Sequence, residues 1–349
     1  MHDLRHARNN ANQESGQTSD FAGVALVARA PGNNFGIRVN PDISLTQPQG
    51  LKPGDVIAVV APAGPMVSLD VFQRGIASLE RMGFRTLYSD CVFQSYRYLA
   101  GRDVERAEEL TRAIEDPSVR AIVALRGGYG CARLIPMLDE SRVRQNCKIF
   151  MGFSDLTTLH LFFNKCGWIT FHGPMVATEA LAEISTDCER HLFSLWTDAD
   201  YRPTLRFPRL ESWASGAAEG VLTGGCLSLV AASLGTSYEI RTEGKILFLE
   251  DTGEPPYRID RMITHLRLAG KLDSVAGLLL GQFSDCDAQG VDYSVNDVLR
   301  DVLSGLNIPI LANFPAGHIR DNRTLPFGVK VRIDADALTL HFIDSAIRL

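Results

Sequence analysis

The chain has 349 residues with 35 basic and 41 acidic side chains, giving a formal net charge of −6. Basic residues are scattered, which excludes the electrostatic footprint of a nucleic-acid-binding protein, and no apolar run predicts a signal peptide or a membrane span. Seven dispersed cysteines without a CxxC pair disfavour a disulfide framework and a zinc site, and they favour a reducing, cytoplasmic compartment.

Residues 1–48 are rich in Asn, Gln, Gly, Ser and Pro, so we expect a flexible amino-terminal extension. Short β-branched apolar runs then alternate with helical segments as far as about residue 200. Strands are predicted at residues 56–61, 84–88, 121–125, 148–152 and 169–171. Helices are predicted at 68–82, at 104–114 with Asp103 as the cap, after Gly130, and from Ser154 to about Lys165. This alternation predicts a parallel sheet covered on both faces.

The alternation loosens at residues 201–218, which contain Pro203 and Pro208 and are expected to form a linker. Beyond the linker, strands are predicted at 245–249, 275–280, 310–313, 329–333 and 338–342, with helices ending near 234 and at 259–269 and 295–303. The last two strands alternate and are joined by a turn at 334–336, which indicates a hairpin.

The sequence therefore predicts an α/β fold with two domains. Residues 49–200 are expected to form a Rossmann- or flavodoxin-like domain with a parallel sheet. Residues 219–349 are expected to form a second α/β domain with mixed or antiparallel strands. Ligand sites in such folds lie at the carboxyl ends of the strands.

Polar segments follow several of these strands. Gly-Phe-Ser-Asp at 152–155 places Ser154 at a strand-to-helix turn, where free helix N–H groups can stabilise an oxyanion. A serine there can equally be a simple helix cap. Arg-Gly-Gly-Tyr-Gly at 126–130 predicts either a backbone that approaches a ligand or only a tight turn.

Two further strand ends carry a carboxylate and a histidine. Glu250 directly follows the predicted strand at 245–249, and His318 follows a Pro/Gly turn after the strand at 310–313. A histidine can act as the general base for a serine, and a carboxylate can orient its ring. Glu254 on the same loop competes with Glu250, and His172 is a weaker rival to His318. No H-E-x-x-H motif is present, so we expect no catalytic metal.

Taken together, four segments resemble the LD-carboxypeptidase family over about residues 50–345. They are Arg-Gly-Gly-Tyr-Gly at 126–130, Gly-Phe-Ser-Asp at 152–155, Phe-Leu-Glu-Asp with Pro-Tyr-Arg-Ile-Asp-Arg within 248–261, and Phe-Pro-Ala-Gly-His at 314–318. The resemblance implies a triad in which Ser154 is the nucleophile, His318 the general base and Glu250 its orienting partner.

The resemblance and the positions of the other loop residues extend this site. The N–H groups of Gly128 and Asp155 are expected to form the oxyanion hole. Arg126, with Gly127 and Tyr129 beside it, is the candidate for binding the substrate carboxylate, and a salt bridge to a nearby acidic side chain is the alternative for Arg126.

The resemblance also implies a cytoplasmic homodimer that needs neither metal nor cofactor. Such enzymes remove the terminal D-alanine of murein tetrapeptides during peptidoglycan recycling. A related branch of the family cleaves microcin C and similar peptide–nucleotide conjugates, but the Glu-Asp-x-x-Glu-Pro-Pro-Tyr-Arg-Ile-Asp-Arg stretch at 250–261 looks more like the murein branch. A two-domain peptide-binding protein without catalysis is the alternative outside the enzymes.

Overall fold

The computed structural model describes residues 45–349. The expected flexible extension therefore lies outside the described residues except for residues 45–48. These last positions join the folded part, since Thr46 forms a parallel bridge with Trp168. No helix within the described range is long and apolar enough to cross a bilayer.

The first half of the chain alternates strands and helices as predicted. Its strands are β1 (Val56–Val60), β2 (Arg85–Leu87), β3 (Val119–Ala124), β4 (Ile149–Gly152) and β5 (Thr170–His172). Its helices are α1 (Leu69–Arg81), α2 (Asp103–Glu115), α3 (Glu140–Gln145), α4 (Thr157–Lys165), α5 (Glu179–Ala182) and α6 (Thr186–Thr197). The strands lie in the order β2-β1-β3-β4-β5 and all run parallel.

This strand order is the flavodoxin-like one, in which the chain reverses its direction of growth between β1 and β3. The loops after two neighbouring strands then lead away from each other, which leaves a crevice at their carboxyl ends. The parallel, helix-covered sheet predicted for this half is confirmed.

Two local predictions in this half are wrong. The helix expected after Gly130 consists of two 3-10 turns, Cys131–Arg133 and Ile135–Met137, before α3 begins. Asp103 is not the cap of α2, because Arg102 holds that position and its N–H donates to the Glu105 carboxylate at 2.7 Å. Asp103 instead pairs with the buried Arg106 guanidinium at 2.6 Å, which needs a counter-charge away from water.

The second half of the chain contributes the strands of a mixed sheet and, separately, strand β12 (Leu325–Phe327). Its strands are β6 (Thr204–Leu205), β7 (Glu211–Ala214), β8 (Ala217–Cys226), β9 (Ile246–Thr252), β10 (Gly277–Ser284), β11 (Ile310–Ala312), β12 (Leu325–Phe327), β13 (Lys330–Asp334) and β14 (Thr339–Phe342). Its helices are α7 (Leu227–Ala232), α8 (Pro256–Leu268) and α9 (Val295–Val302). The sheet order is β6-β14-β13-β8-β9-β10-β11-β7, with β8 to β11 parallel and the outer strands antiparallel. The expected mixed sheet and the β13–β14 hairpin are confirmed.

The two sheets are connected by strand pairing and by a common apolar core, and the expected linker itself forms strands. Residues 201–218 contribute β6 and β7, which are the two edge strands of the second sheet. Strand β12 belongs to the second half of the chain but pairs antiparallel with β5 in the first sheet. One cluster of buried side chains includes Val123, Phe248 and Phe327, so apolar burial ties both sheets together. The domain boundaries at residues 200 and 218 stay predictions.

Candidate active site

Ser154 lies at the turn between β4 and α4. Its φ of 64° is in the left-handed region, which costs a residue with a Cβ on the order of 1–3 kcal/mol. A 3-10 turn over Ser154–Leu156 leads into the helix, and neither the turn nor α4 has a side-chain cap. Ser154 is therefore not a helix cap, and its half-buried side chain lies at the end of the strand.

The glycine loop at 126–130 lies directly against this serine. A Cβ on Gly127 would come within 2.8 Å of the Ser154 Cβ and 3.0 Å of its Oγ. Gly128 has a φ of 117°, which also favours glycine. The Gly64 N–H donates to the Gly127 carbonyl at 3.1 Å, which joins this loop to the one after β1. The close approach explains why the loop needs glycine at position 127.

Asp155 fixes the turn to the glycine loop. Its buried carboxylate accepts a hydrogen bond from the Cys131 N–H at 2.8 Å. Burial raises the pKa of Asp155 above its ordinary value, and the hydrogen bond from Cys131 opposes this rise. The Asp155 backbone nitrogen is 3.7 Å from the position of a Gly127 Cβ, so its N–H group lies beside the loop and the serine.

A buried carboxylate–histidine pair comes from the second sheet. Glu250 on β9 has no solvent exposure, and the His318 Nδ1–H donates to its Oε2 at 2.7 Å. Because a carboxylate only accepts, this bond places the ring proton on Nδ1 and leaves Nε2 able to take a proton.

The two partners shift each other's pKa. Burial opposes ionisation of Glu250, but His172 and His318, which face its two oxygens, hold its pKa below the ordinary value. Burial likewise lowers the pKa of His318, but the Glu250 carboxylate outweighs it and raises that pKa above the ordinary value. The pair therefore favours a charged carboxylate with a basic imidazole.

Aromatic and glycine contacts bring the pair to the serine turn. The ring of Phe153, the residue before Ser154, packs edge-on against the His318 ring with centroids 4.9 Å apart. A Cβ on Gly317 would lie 2.6 Å from Glu250 Oε2. The Cys226 N–H at the end of β8 donates to the Thr157 hydroxyl at 3.1 Å. Within residues 45–349, the hydrogen bond of His318 goes to Glu250 and none links it to the Ser154 hydroxyl.

The remaining sequence candidates are placed as follows. Arg126 is half-buried, and its guanidinium donates to the Pro65 carbonyl at 3.2 Å. Tyr129 is exposed beside Tyr98, with ring centroids 5.9 Å apart. Glu254 pairs with Arg258 at 3.2 Å, whereas His318 pairs with Glu250.

One residue near Glu250, His172, was named in the sequence analysis only as a weaker rival to His318. Its Nε2 lies 3.6 Å from Glu250 Oε1 in the interior. Its place as the last residue of β5, beside the strand that leads to Ser154, signals nearness to the serine turn, but its contact with Glu250 comes from the other sheet and has no local signal.

A serine at a strained strand-to-helix turn, with a buried carboxylate–histidine pair packed against that turn through Phe153, suits a hydrolase of the serine type. Comparison with known proteins gives the class more closely. Residues 57–173 match the model of the LD-carboxypeptidase N-terminal domain, and residues 219–333 match that of its C-terminal domain. A Bacillus subtilis protein named probable murein peptide carboxypeptidase is 35% identical over 294 residues, covering 82% of this chain and 91% of the relative. The chain belongs to the LD-carboxypeptidase family and is a serine-type carboxypeptidase hydrolase.

Solved structures of the same family share the architecture. The muramoyltetrapeptide carboxypeptidase from Oxalobacter formigenes superposes with a TM-score of 0.73 at 30% identity, covering 82% of this chain and 97% of that one. The microcin C7 self-immunity protein MccF in complex with aspartyl sulfamoyl adenosine gives a TM-score of 0.82 at 26% identity, covering 87% and 100%. The resemblance seen in the sequence is thereby confirmed, and family membership disfavours a non-catalytic binding protein.

Proposed function

We propose that this enzyme hydrolyses the L,D-peptide bond to the terminal D-alanine of murein tetrapeptides, through a Ser154–His318–Glu250 triad. The observation that supports it most is the buried Glu250–His318 pair, which packs through Phe153 against the strained serine turn. The names of the Bacillus subtilis and Oxalobacter formigenes relatives support the substrate class.

The first chemical step uses the basic nitrogen of His318. His318 Nε2 takes the proton from the Ser154 hydroxyl as the oxygen attacks the scissile carbonyl, and Glu250 stabilises the imidazolium that forms. We expect the hydrogen bond between the Ser154 hydroxyl and His318 Nε2 to form in the complex with substrate, where catalytic hydrogen bonds commonly tighten.

The oxyanion is expected to lie between the glycine loop and the start of the 3-10 turn. The Gly128 and Asp155 N–H groups are the proposed donors, which the contact of Gly127 with the Ser154 side chain and with the Asp155 backbone nitrogen supports. Loss of one such donor in other hydrolases costs on the order of a hundredfold in kcat. His318 then protonates the leaving D-alanine nitrogen, and water attacks the acyl-enzyme by the reverse route.

Arg126 is proposed to bind the free carboxylate of the substrate, with Gly127 and Tyr129 beside it. Its guanidinium bonds only a carbonyl oxygen in the described part of the chain, so it has donors left for a carboxylate. A cytoplasmic homodimer acting in peptidoglycan recycling remains part of the proposal, and the free state of all seven cysteines accords with a reducing compartment.

A second candidate function is cleavage of peptide– or aminoacyl–nucleotide conjugates of the microcin C type. The high TM-score with the self-immunity protein MccF favours it. Both candidates use the same serine chemistry, so only the substrate separates them.

The proposal is tested by mass spectrometry of a murein tetrapeptide incubated with wild type and Ser154→Ala in the presence of a chelator. Ser304→Ala, at an exposed position after α9, is the matched control. Loss of one alanine with wild type and the control, but not with Ser154→Ala, supports a metal-independent serine peptidase acting on murein. An intact tetrapeptide together with cleavage of an aminoacyl–sulfamoyl adenosine by wild type would favour the second candidate.

A further inference from the structure

His172 is a completely buried imidazole whose two nitrogens form no hydrogen bond within residues 45–349. Neither Nδ1 nor Nε2 has a partner among the described residues, and the same is true of Glu250 Oε1. These two orphaned atoms face each other, with His172 Nε2 3.6 Å from Glu250 Oε1. Buried polar groups in folded proteins are nearly always paired, so an orphaned pair beside a proposed catalytic carboxylate requires an explanation.

Aromatic rings hold the His172 imidazole in place. Phe248 and Phe153 pack edge-on against it, with centroids 5.1 and 5.9 Å away, and the ring of Phe327 is tilted against it at 5.5 Å. These rings come from β9, the serine turn and β12, so both sheets fix the orientation of the imidazole. A side chain needed only for packing at this position would be apolar, because burying imidazole nitrogens without partners is unfavourable.

We propose that His172 is a positioning residue for Glu250, which directs its Nε2–H at Oε1 before substrate binds and completes a hydrogen bond to it in the complex with substrate. The inference rests on the proposed function, in which Glu250 orients His318. With both oxygens held, the carboxylate cannot rotate away from His318 Nδ1. The distance of 3.6 Å is longer than a hydrogen bond, and catalytic contacts of this kind commonly tighten in the complex with substrate.

The His172 Nε2–H that faces Oε1 also affects the pKa of His318. A donor on Oε1 draws charge from the carboxylate, so removing it leaves Glu250 more basic and raises the pKa of His318. Three other titratable groups surround the Glu250–His318 pair. The Asp251 carboxylate raises the pKa of His318, and Cys226 on β8 lies opposite Glu250 on β9. The ring of His160 is 6.4 Å from that of His172. Burial lowers the pKa of His160 to about 3, so it is neutral and adds no charge at neutral pH.

The test compares His172→Gln, whose amide keeps an N–H donor, with His172→Phe and His172→Leu, which have none. His191→Leu is the matched control, since His191 is also a buried histidine but bonds Thr324 and Tyr201 instead of Glu250. The readouts are kcat/KM against pH for D-alanine release, and titration of the His318 imidazole by NMR in the ligand-free protein.

We expect the apolar variants to lose about tenfold or more in kcat/KM. Losses of this size are typical when a residue that holds a metal-binding histidine by a hydrogen bond is replaced in other enzymes. Their acidic limb and the NMR pKa of His318 should both move to higher pH. His172→Gln should keep most of the activity and the wild-type limb, and His191→Leu should leave the limb unchanged. A folded apolar variant with an unchanged His318 titration would overturn the inference, as would His172→Gln losing as much as His172→Phe. The NMR titration needs no substrate, so it tests the role of His172 even where wild type fails to cleave the tetrapeptide.

Discussion

Ser154 is held in a backbone conformation that disfavours residues with a Cβ, and this strain can be measured. Its φ of 64° is expected to cost about 1–3 kcal/mol in a serine or alanine. Glycine adopts this conformation freely, although its larger freedom in the unfolded chain offsets about 0.5–1 kcal/mol of the gain. We therefore expect Ser154→Gly to have a free energy of unfolding roughly 1 kcal/mol higher than Ser154→Ala.

The comparison between two inactive variants isolates the backbone term, because both lack the hydroxyl. Equilibrium urea denaturation of the two proteins measures the difference, with equal slopes showing that only stability has changed. Asp285→Gly is a useful control, since Asp285 is exposed with a φ of 53° and should gain stability while keeping activity. A Ser154→Gly protein no more stable than Ser154→Ala would show that the serine turn stores no strain, and would refute the reasoning.

Three further outcomes are expected from the same geometry. Gly127→Ala should lower kcat/KM strongly, because its Cβ would meet the Ser154 side chain at 2.8 Å, and overpacking of this kind costs about 1–3 kcal/mol in stability; steady-state kinetics and denaturation check both, and wild-type kinetics would contradict the close approach. Glu250→Gln should lower kcat by up to about ten-thousandfold and move the acidic limb of the pH profile to lower pH, because His318 loses the carboxylate that raises its pKa; an unmoved limb would argue against the pairing. Because the folded-state pKa of Glu250 is depressed, its contribution to stability should be present above its unfolded pKa of about 4.3 and be lost as pH falls below it; this loss should be absent from the acid denaturation of Glu250→Gln.

Local sequence patterns predicted much of the fold. Apolar β-branched runs such as 56–61 and 121–125 predicted the strands β1 and β3 to within about two residues, because a buried parallel strand must be apolar on both faces. The strand-end rule placed the glycine loop and Ser154 after neighbouring parallel strands of the first sheet, as they are in the structure, whereas Glu250 lies on the second sheet and was joined to them only by the family resemblance.

Non-local pairing could not be predicted in the same way. Strand β12 has only three residues and contains Pro326, so no alternating pattern marks it, yet it pairs with β5 about 150 residues earlier in the chain. The cap of α2 was predicted wrongly because the Asp103 carboxylate forms an ion pair with the buried Arg106 of the same helix. His172 was underrated for a similar reason, since its importance depends on Glu250, which the chain supplies from the other sheet.

The central claim is that Ser154 is the nucleophile activated by the Glu250–His318 pair. The most direct measurement is peptide mapping by mass spectrometry after labelling with a fluorophosphonate, which reacts with activated serines. We expect a single adduct on Ser154, no adduct on Ser154→Ala, and much slower labelling of Glu250→Gln. An adduct on another residue, or equal labelling of Ser154→Ala and wild type, would contradict the claim.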